Sequence, residues 1–178
     1  MKEREIKVLE VDLEEIEKKI VSKGGKKVFE GEVITEFFDF YDNSILKNKG
    51  VLRLRKYGEK TYLCFKKSLN SQGIKEMEEI EVEVDDLKKT ELILLSIGLK
   101  IFEKVKKFRK SYEIDGVRIE LERHLDDYSF IPDFIEIESE DTGKINEYLN
   151  ILGFSMEDAK PWTIFDVIDY YKRRRYEK

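Results

Sequence analysis

The sequence predicts an α+β fold, an antiparallel sheet with helices laid on one of its sides. Three observations predict it. Short stretches with strict alternation recur along the chain, among them Val51 to Arg55, Glu79 to Val84 and Val117 to Arg123, each with one apolar and one charged face. Segments with apolar residues at helical spacing lie between the strands, and three of them stop at glycine. Turn residues stand where hairpins need them, as at Asp115-Gly116. Apolar strand faces are what helices can cover. The charged faces are where function has to be sought.

Taken in order, Glu3 to Lys7 opens the chain as a strand with Glu3, Glu5 and Lys7 on one face, and Ile6 and Val8 turn toward apolar packing. Asp12 can cap a helix, with Glu15 at capping-box spacing and Leu13, Ile16 and Ile20 forming its stripe. Gly24-Gly25 ends it. A short strand is expected over Val28 to Glu32, and a second, aromatic and β-branched, over Thr35 to Tyr41. Asp42-Asn43-Ser44 is turn chemistry, and Ile45 to Lys49 makes a short helical turn.

Leu52 and Leu54 then face away from Arg53 and Arg55, and after Gly58-Glu59 the chain returns over Thr61 to Lys67, with Tyr62, Cys64 and Lys66 opposite Leu63 and Phe65. Leu69 to Gly73 is polar and reads as a flap. In the strand Glu76 to Val84, Ile80, Val82 and Val84 oppose Glu79, Glu81 and Glu83. A helix capped by Asp85 or Asp86 runs to Gly98. A long strand over Leu99 to Tyr112 carries Lys107 and Arg109 on one face. Val117 to Arg123 alternates Val117, Ile119 and Leu121 with Arg118, Glu120 and Glu122. The last strand, Phe134 to Glu138, sets Ile135 and Ile137 against Glu136 and Glu138. A helix from about Thr142 stops at Gly153. A final helix, anchored by Trp162, carries Phe165, Ile168 and Tyr171 as its apolar side.

With 178 residues the chain is long enough for one domain with a full core. Charged residues make up 41% of it, against about 25% in an average soluble domain. That excess predicts ion-pair-rich surfaces or a charged interior cavity. The net charge of -5 argues against a nucleic-acid-binding module. The single cysteine, Cys64, excludes an intrachain disulfide and points to a reducing cytoplasm, where packing is its expected role. The single histidine, His124, excludes histidine-rich zinc sites and is expected at the surface. No apolar stretch approaches a membrane span, and no signal peptide opens the chain.

The charged faces are not random in sign. Glu3/Glu5, Glu79/Glu81, Glu120/Glu122 and Glu136/Glu138 are Glu-x-Glu pairs, whereas Arg53/Arg55, Lys66 and Lys107/Arg109 are basic. On an open sheet these faces would meet water. On a sheet curled into a barrel they would all point into one wet lumen, with opposite signs in separate patches. Carboxylate clusters attract Mg2+ or Mn2+, and arginine and lysine clusters bind phosphate. A metal-bound polyphosphate satisfies both. No Gly-x-x-x-x-Gly-Lys loop is present, so side chains would have to hold the phosphates.

These residues resemble the CYTH superfamily, the triphosphate tunnel metalloenzymes, which includes class IV adenylyl cyclases, thiamine triphosphatases and inorganic tripolyphosphatases. The family's Glu-x-Glu-x-Lys is similar to Glu3, Glu5 and Lys7, and its Leu-Arg-x-Arg to Leu52-Arg53-Leu54-Arg55. Its phosphate-binding lysine strand is similar to Leu63-Cys64-Phe65-Lys66, and its later motifs to Glu79/Glu81, Lys107/Arg109 and Glu136-Ile137-Glu138. The chain departs from the pattern at Met77, where an arginine is usual, at Glu122 in place of aspartate, and at Thr163-Ile164 in place of Ser-Tyr.

The resemblance implies an eight-stranded antiparallel β-barrel, a tunnel with helices packed outside. It implies one domain over 1–178 with a C-terminal helix from about 162, often as a homodimer. It further implies that Arg53, Arg55, Lys66, Lys107 and Arg109 hold a small-molecule triphosphate. Glu3, Glu5, Glu136 and Glu138 would bind Mg2+ or Mn2+, with Glu79, Glu81 and Glu122 as further ligands, and Lys7 and Glu5 would serve catalysis. Two reactions share this apparatus, hydrolysis by water and cyclisation of ATP to cyclic AMP and pyrophosphate. A tunnel that binds phosphorylated ligands without turnover is the third reading.

Overall fold

The computed structural model describes residues 2–69 and 74–176, and the side chains of 4–69, 74 and 76–175. The expected flap therefore lies, apart from Leu69, outside the described residues, as does the side chain of Glu3. The elements are β1 (Lys2–Leu9), α1 (Leu13–Ser22), β2 (Lys26–Phe40), α2 (Ser44–Lys47), β3 (Gly50–Tyr57), β4 (Lys60–Leu69), β5 (Lys75–Val84), α3 (Leu87–Ser96), β6 (Leu99–Ile114) and β7 (Val117–His124). A short 3-10 turn (Asp126–Tyr128), β8 (Phe134–Ser139), α4 (Thr142–Leu152), β9 (Ala159–Lys160) and α5 (Ile164–Tyr176) follow.

The strands run in the order β5-β4-β3-β2-β6-β7-β8-β1, and β1 pairs back onto β5, closing an eight-stranded antiparallel barrel. The two strands expected over Val28 to Glu32 and Thr35 to Tyr41 are one continuous strand, β2. It pairs with the equally long β6 through register shifts at Lys27/Phe29 and Phe37/Phe38. Such bulges let long strands bend enough to close a barrel. β1 spends its edge on three partners. Lys2 to Glu5 pair with β5, while β9 takes the free edge opposite Lys7 and Val8, and β8 runs along the other side.

The outer wall is covered unevenly. Helices α1 and α4 pack on β1, β7 and β8, burying Ile16, Ile20, Ile145 and Leu149 against Ile6, Ile119, Ile135 and Ile137. The α1 cap is as expected, Asp12 Oδ1 accepting from the amides of Glu14 and Glu15. α4 ends where Gly153 turns left-handed at φ 95°, which lets the Phe154 amide donate to the Leu149 carbonyl at 3.0 Å. The β6–β7 hairpin turns through Asp115 and Gly116, both at positive φ, the pairing that matches strand twist. α3 covers Phe38, Leu54 and Leu99 with Leu94. The expectation that helices cover the apolar strand faces fails on β5, where Ile80 is 67% and Val82 55% exposed on the outside of the barrel.

A third cluster closes one end of the barrel from within. Leu9, Phe37, Val51, Val105 and Phe134 lie two residues along their strands from Lys7, Thr35, Arg53, Lys107 and Glu136, so they share the inward face. Val167, Ile168 and Tyr171 of α5 pack against them, together with Tyr128 and Ile131. Burying each of the two α5 aliphatics contributes about 1.5–3 kcal/mol. Trp162 packs at this cluster and lies 5.0 Å from Tyr170, as befits an anchor. Among the described residues no helix is long and apolar enough to cross a membrane.

Candidate active site

Inward-facing side chains surround a cavity of about 1480 Å³. It is walled by charge, and the walls divide by sign. Strands β4, β3, β2 and β6 are consecutive in the barrel and contribute Lys66, Arg53, Arg55, Lys107 and Arg109. Strands β7, β8, β1 and β5 complete the circle and contribute Glu120, Glu136, Glu138, Glu5, Glu79 and Glu81. Lys7, within the acidic half, and Glu113 on β6 and Arg118 on β7, both near the open end, are exceptions. Opposite signs thus occupy opposite half-cylinders.

Ion pairs form along both seams. On one, Arg53 Nη2 lies 3.5 Å from Glu79, Lys66 Nζ 3.2 Å from Glu79 and Arg55 Nη2 2.9 Å from Glu81. On the other, Lys107 Nζ lies 2.8 Å from Glu122, and Arg109 pairs with Glu120, Glu122 and, at 3.3 Å, Glu136. Burial disfavours the charge on Arg109, but the three carboxylates overcome it and push its pKa up. Arg55 and Lys107 are pushed down, first by burial and then by neighbouring arginines.

Buried polar groups without a partner among the described residues mark the same place. They include Arg55 Nε, Arg109 Nε, Glu122 Oε2 and both ring nitrogens of His124, all on inward-facing positions, whereas Glu36 Oε2 lies on the outer face of β2. Native interiors leave few such atoms unpaired. Of these residues, Arg55 and Arg109 line the cavity itself.

Glu120, Glu122 and Glu136 each bring a carboxylate oxygen within 4.8 Å of the others. An all-oxygen, acidic donor set of this kind fits a hard divalent cation, and the orphaned Glu122 Oε2 offers a further lone pair. Burial raises the pKa of Glu120, helped by Glu136 and Glu122. Burial acts the same way on Glu136, but Lys7, Lys107 and Arg109 outweigh it and hold Glu136 well below the usual range. A second grouping, Cys64 with Glu79 and Glu81, includes a thiol that burial pushes up to about 11. A neutral thiol is a poor ligand for Mg2+ or Mn2+.

The structure gathers most of the residues that the sequence singles out. Glu5, Lys7 and Glu136 meet, since Lys7 Nζ lies 3.0 Å from both carboxylates. Glu122 and Glu136 join in the oxygen cluster, while Glu79 and Glu81 stand apart from it at the other edge of the acidic half, tied to the basic strands. Glu138 lines the bore and pairs in register with Glu5.

Two residues have a larger place here than the sequence reading gave them. Glu120 was legible as half of a Glu-x-Glu pair, and it completes the carboxylate cluster. His124, expected at the surface, is 2% exposed. β7 continues through it, so it shares the inward face of Glu120 and Glu122, stands opposite Lys107 and stacks on Phe134 with ring centroids 5.3 Å apart. Burial, then the Lys107 charge, pushes its pKa down to about 4.

Fold and bore together define a helix-closed antiparallel barrel with an interior divided between cations and carboxylates. Residues 1–159 match the CYTH domain, and the chain belongs to the CYTH family. A candidate adenylate cyclase of Methanocaldococcus jannaschii is 28% identical over 147 residues, 83% of this chain and 79% of that protein. The PH1012 protein of Pyrococcus horikoshii superposes with a TM-score of 0.78 at 27% identity, covering 93% of this chain and 98% of the other. A candidate adenylyl cyclase of Hippeastrum, described as having a dominant triphosphatase activity, shares the fold with a TM-score of 0.65 at 19% identity, over 85% of this chain and 88% of that one.

Proposed function

We propose that this protein is a divalent-metal-dependent enzyme that acts on a triphosphate substrate inside the bore, as a phosphohydrolase. The observation that carries this reading is the opposition of a basic and an acidic half-cylinder across one cavity. A triphosphate with its counter-cation needs both at once, and membership of the CYTH family supports it.

In this reading Arg53, Arg55, Lys66, Lys107 and Arg109 hold the phosphates, the arginines by two-pronged hydrogen bonding. Glu120, Glu122 and Glu136 hold Mg2+ or Mn2+, with Glu3, Glu5, Glu138, Glu79 and Glu81 as further ligands or outer contacts. The bound cation supplies charge neutralisation and an acidified water. The residues supply alignment, which is most of what phosphoryl transfer asks of a protein. Arg109 and Lys107 exchange carboxylate partners for phosphate oxygens, releasing Glu120 and Glu122. Burial disfavours the Lys7 ammonium, but Glu136 and Glu5 raise its pKa above its ordinary value. Lys7 therefore stays protonated and orients those carboxylates as a donor, not as a base.

A second reading, cyclisation of ATP by attack of the ribose 3'-hydroxyl on the α-phosphorus, is favoured by the name of the Methanocaldococcus relative. Incubation with ATP, tripolyphosphate and thiamine triphosphate, each with Mg2+ or Mn2+, separates the readings. Orthophosphate release is expected. Cyclic AMP as the main product would establish the cyclase, and triphosphates bound but intact after long incubation would leave a binding module.

A further inference from the structure

Two hydroxyls stand behind the carboxylate cluster, and the triphosphate reading gives them no part. Ser111 lies two residues along β6 from Arg109, on the same inward face, and is wholly buried. Its Oγ donates to Glu120 Oε1 at 3.4 Å and stands 2.9 Å from the hydroxyl of Tyr57 on β3. A serine hydroxyl has one hydrogen to give. With that hydrogen spent on Glu120, Tyr57 is the donor in the second bond. The chain therefore runs in one direction, from Tyr57 through Ser111 to Glu120. Burial pushes the pKa of Tyr57 up, which keeps the phenol in its donating form.

The far end of this chain is held by its ring. Phe29 stacks on Tyr57 with centroids 3.7 Å apart and planes 25° from parallel. Gly31, in register with Arg109, gives Phe29 its place, since a Cβ there would press on that ring at 3.3 Å. The Arg55 guanidinium lies 5.6 Å from the Tyr57 centroid. A phenol fixed in this way presents its hydroxyl at one point.

Glu120 divides its two oxygens between neighbours. Oε1 accepts from Ser111, and Oε2 pairs with Arg109 Nη1. In the triphosphate reading Arg109 turns to the phosphates and frees Oε2 for the cation. Among the described residues, Ser111 is then the hydrogen-bond partner that Glu120 keeps. Resting on that reading, we propose that Ser111, oriented by Tyr57, is a positioning residue that holds Glu120 by Oε1 while Oε2 changes partner from Arg109 to the metal. A carboxylate without such support must give up rotamer freedom when it ligates. Hydrogen bonds behind a metal ligand orient it, and their loss lowers metal affinity by about 10–100-fold.

The test titrates Mn2+ alone into the full chain by calorimetry, then follows the Mn2+ dependence of turnover with ATP and tripolyphosphate. Ser111→Ala is expected to bind Mn2+ about tenfold more weakly. Half-maximal turnover should need proportionally more Mn2+, while KM for the triphosphate at saturating Mn2+ keeps its native value. Tyr57→Phe keeps the stack on Phe29 and drops only the hydroxyl, so it should show a smaller loss in the same direction. A merely structural pair would lower the denaturant midpoint and leave Mn2+ affinity of the folded protein unchanged, and that result in Ser111→Ala would overturn the proposal. A larger loss in Tyr57→Phe than in Ser111→Ala would overturn it too. Native protein that takes up no Mn2+ would overturn the metal reading, and the positioning role would fall with it. Triphosphates bound but never hydrolysed, with the Mn2+ losses as expected, would overturn the phosphohydrolase reading and leave the role of Ser111 standing.

Discussion

Lys7 Nζ lies 3.0 Å from Glu136 Oε1, a buried ammonium set among the carboxylates of the acidic half-cylinder. Glu5 is equally close on its other side, and only 2% of the lysine side chain is exposed. Removing one partner from such a group leaves buried charge uncompensated. Lys7→Met is therefore expected to lower stability by about 3–5 kcal/mol. The folded pKa of Lys7 is raised, so its contribution is complete below its ordinary value of 10.5 and is lost only as pH rises beyond that. Denaturant melts should thus show the same deficit at pH 6 and pH 9. Mn2+ should stabilise the variant more than the native protein, because a cation then replaces the missing one.

Glu5 and Arg55 face each other's half of the bore, and neither belongs to the apolar clusters that hold the barrel together. Glu5→Gln and Arg55→Ala are each expected to cost at least ~2 kcal/mol of transition-state stabilisation. Circular dichroism should show both folded. Unchanged turnover in both variants would place the chemistry elsewhere.

Most of this arrangement was legible in the sequence because strand periodicity is 2. Once Leu52 and Leu54 face outward, Arg53 and Arg55 must face inward, and the same logic places Glu79, Lys107 and Glu136. Closure was not legible from alternation. It depends on the pairing of Lys2 to Glu5 with β5, which only the resemblance implied. His124 was misplaced because a residue at the end of a strand reads as a loop residue unless the partner strand is known to extend beside it, as Lys107 does. The role of α5 was hidden for a related reason. Its apolar stripe was visible, but nothing in the stripe says that it closes the bore rather than the outer wall.

Arg109 sits among Glu120, Glu122 and Glu136, where a divalent cation would compete with it. Glu120→Gln removes one anionic ligand from that set. The Mn2+ concentration giving half-maximal activity should rise about tenfold, in the range that loss of a ligand-shell group produces. Chelation of Mn2+ should abolish turnover in the native protein. Glu138→Gln, outside the three-carboxylate cluster, should have the smaller effect on metal affinity. The reverse order would move the metal toward the mouth of the bore.

His124 offers a pH signature independent of activity. Burial, followed by the Lys107 charge, depresses its folded pKa to about 4 from an ordinary value of 6.5. A histidine that is neutral in the folded state but free to protonate when unfolded takes stability away as pH falls through 6.5, until the folded form titrates as well. At pH 5 this loss should amount to about 2 kcal/mol. His124→Phe keeps a ring to stack on Phe134, 5.3 Å away, and cannot protonate. Relative to the native protein, the variant should therefore gain about 2 kcal/mol of stability between pH 7.5 and pH 5, as read from denaturant melts at the two values. Parallel pH dependence in the two proteins would mean that His124 is solvated or already charged in the folded state, and would remove it from the inner wall of the bore.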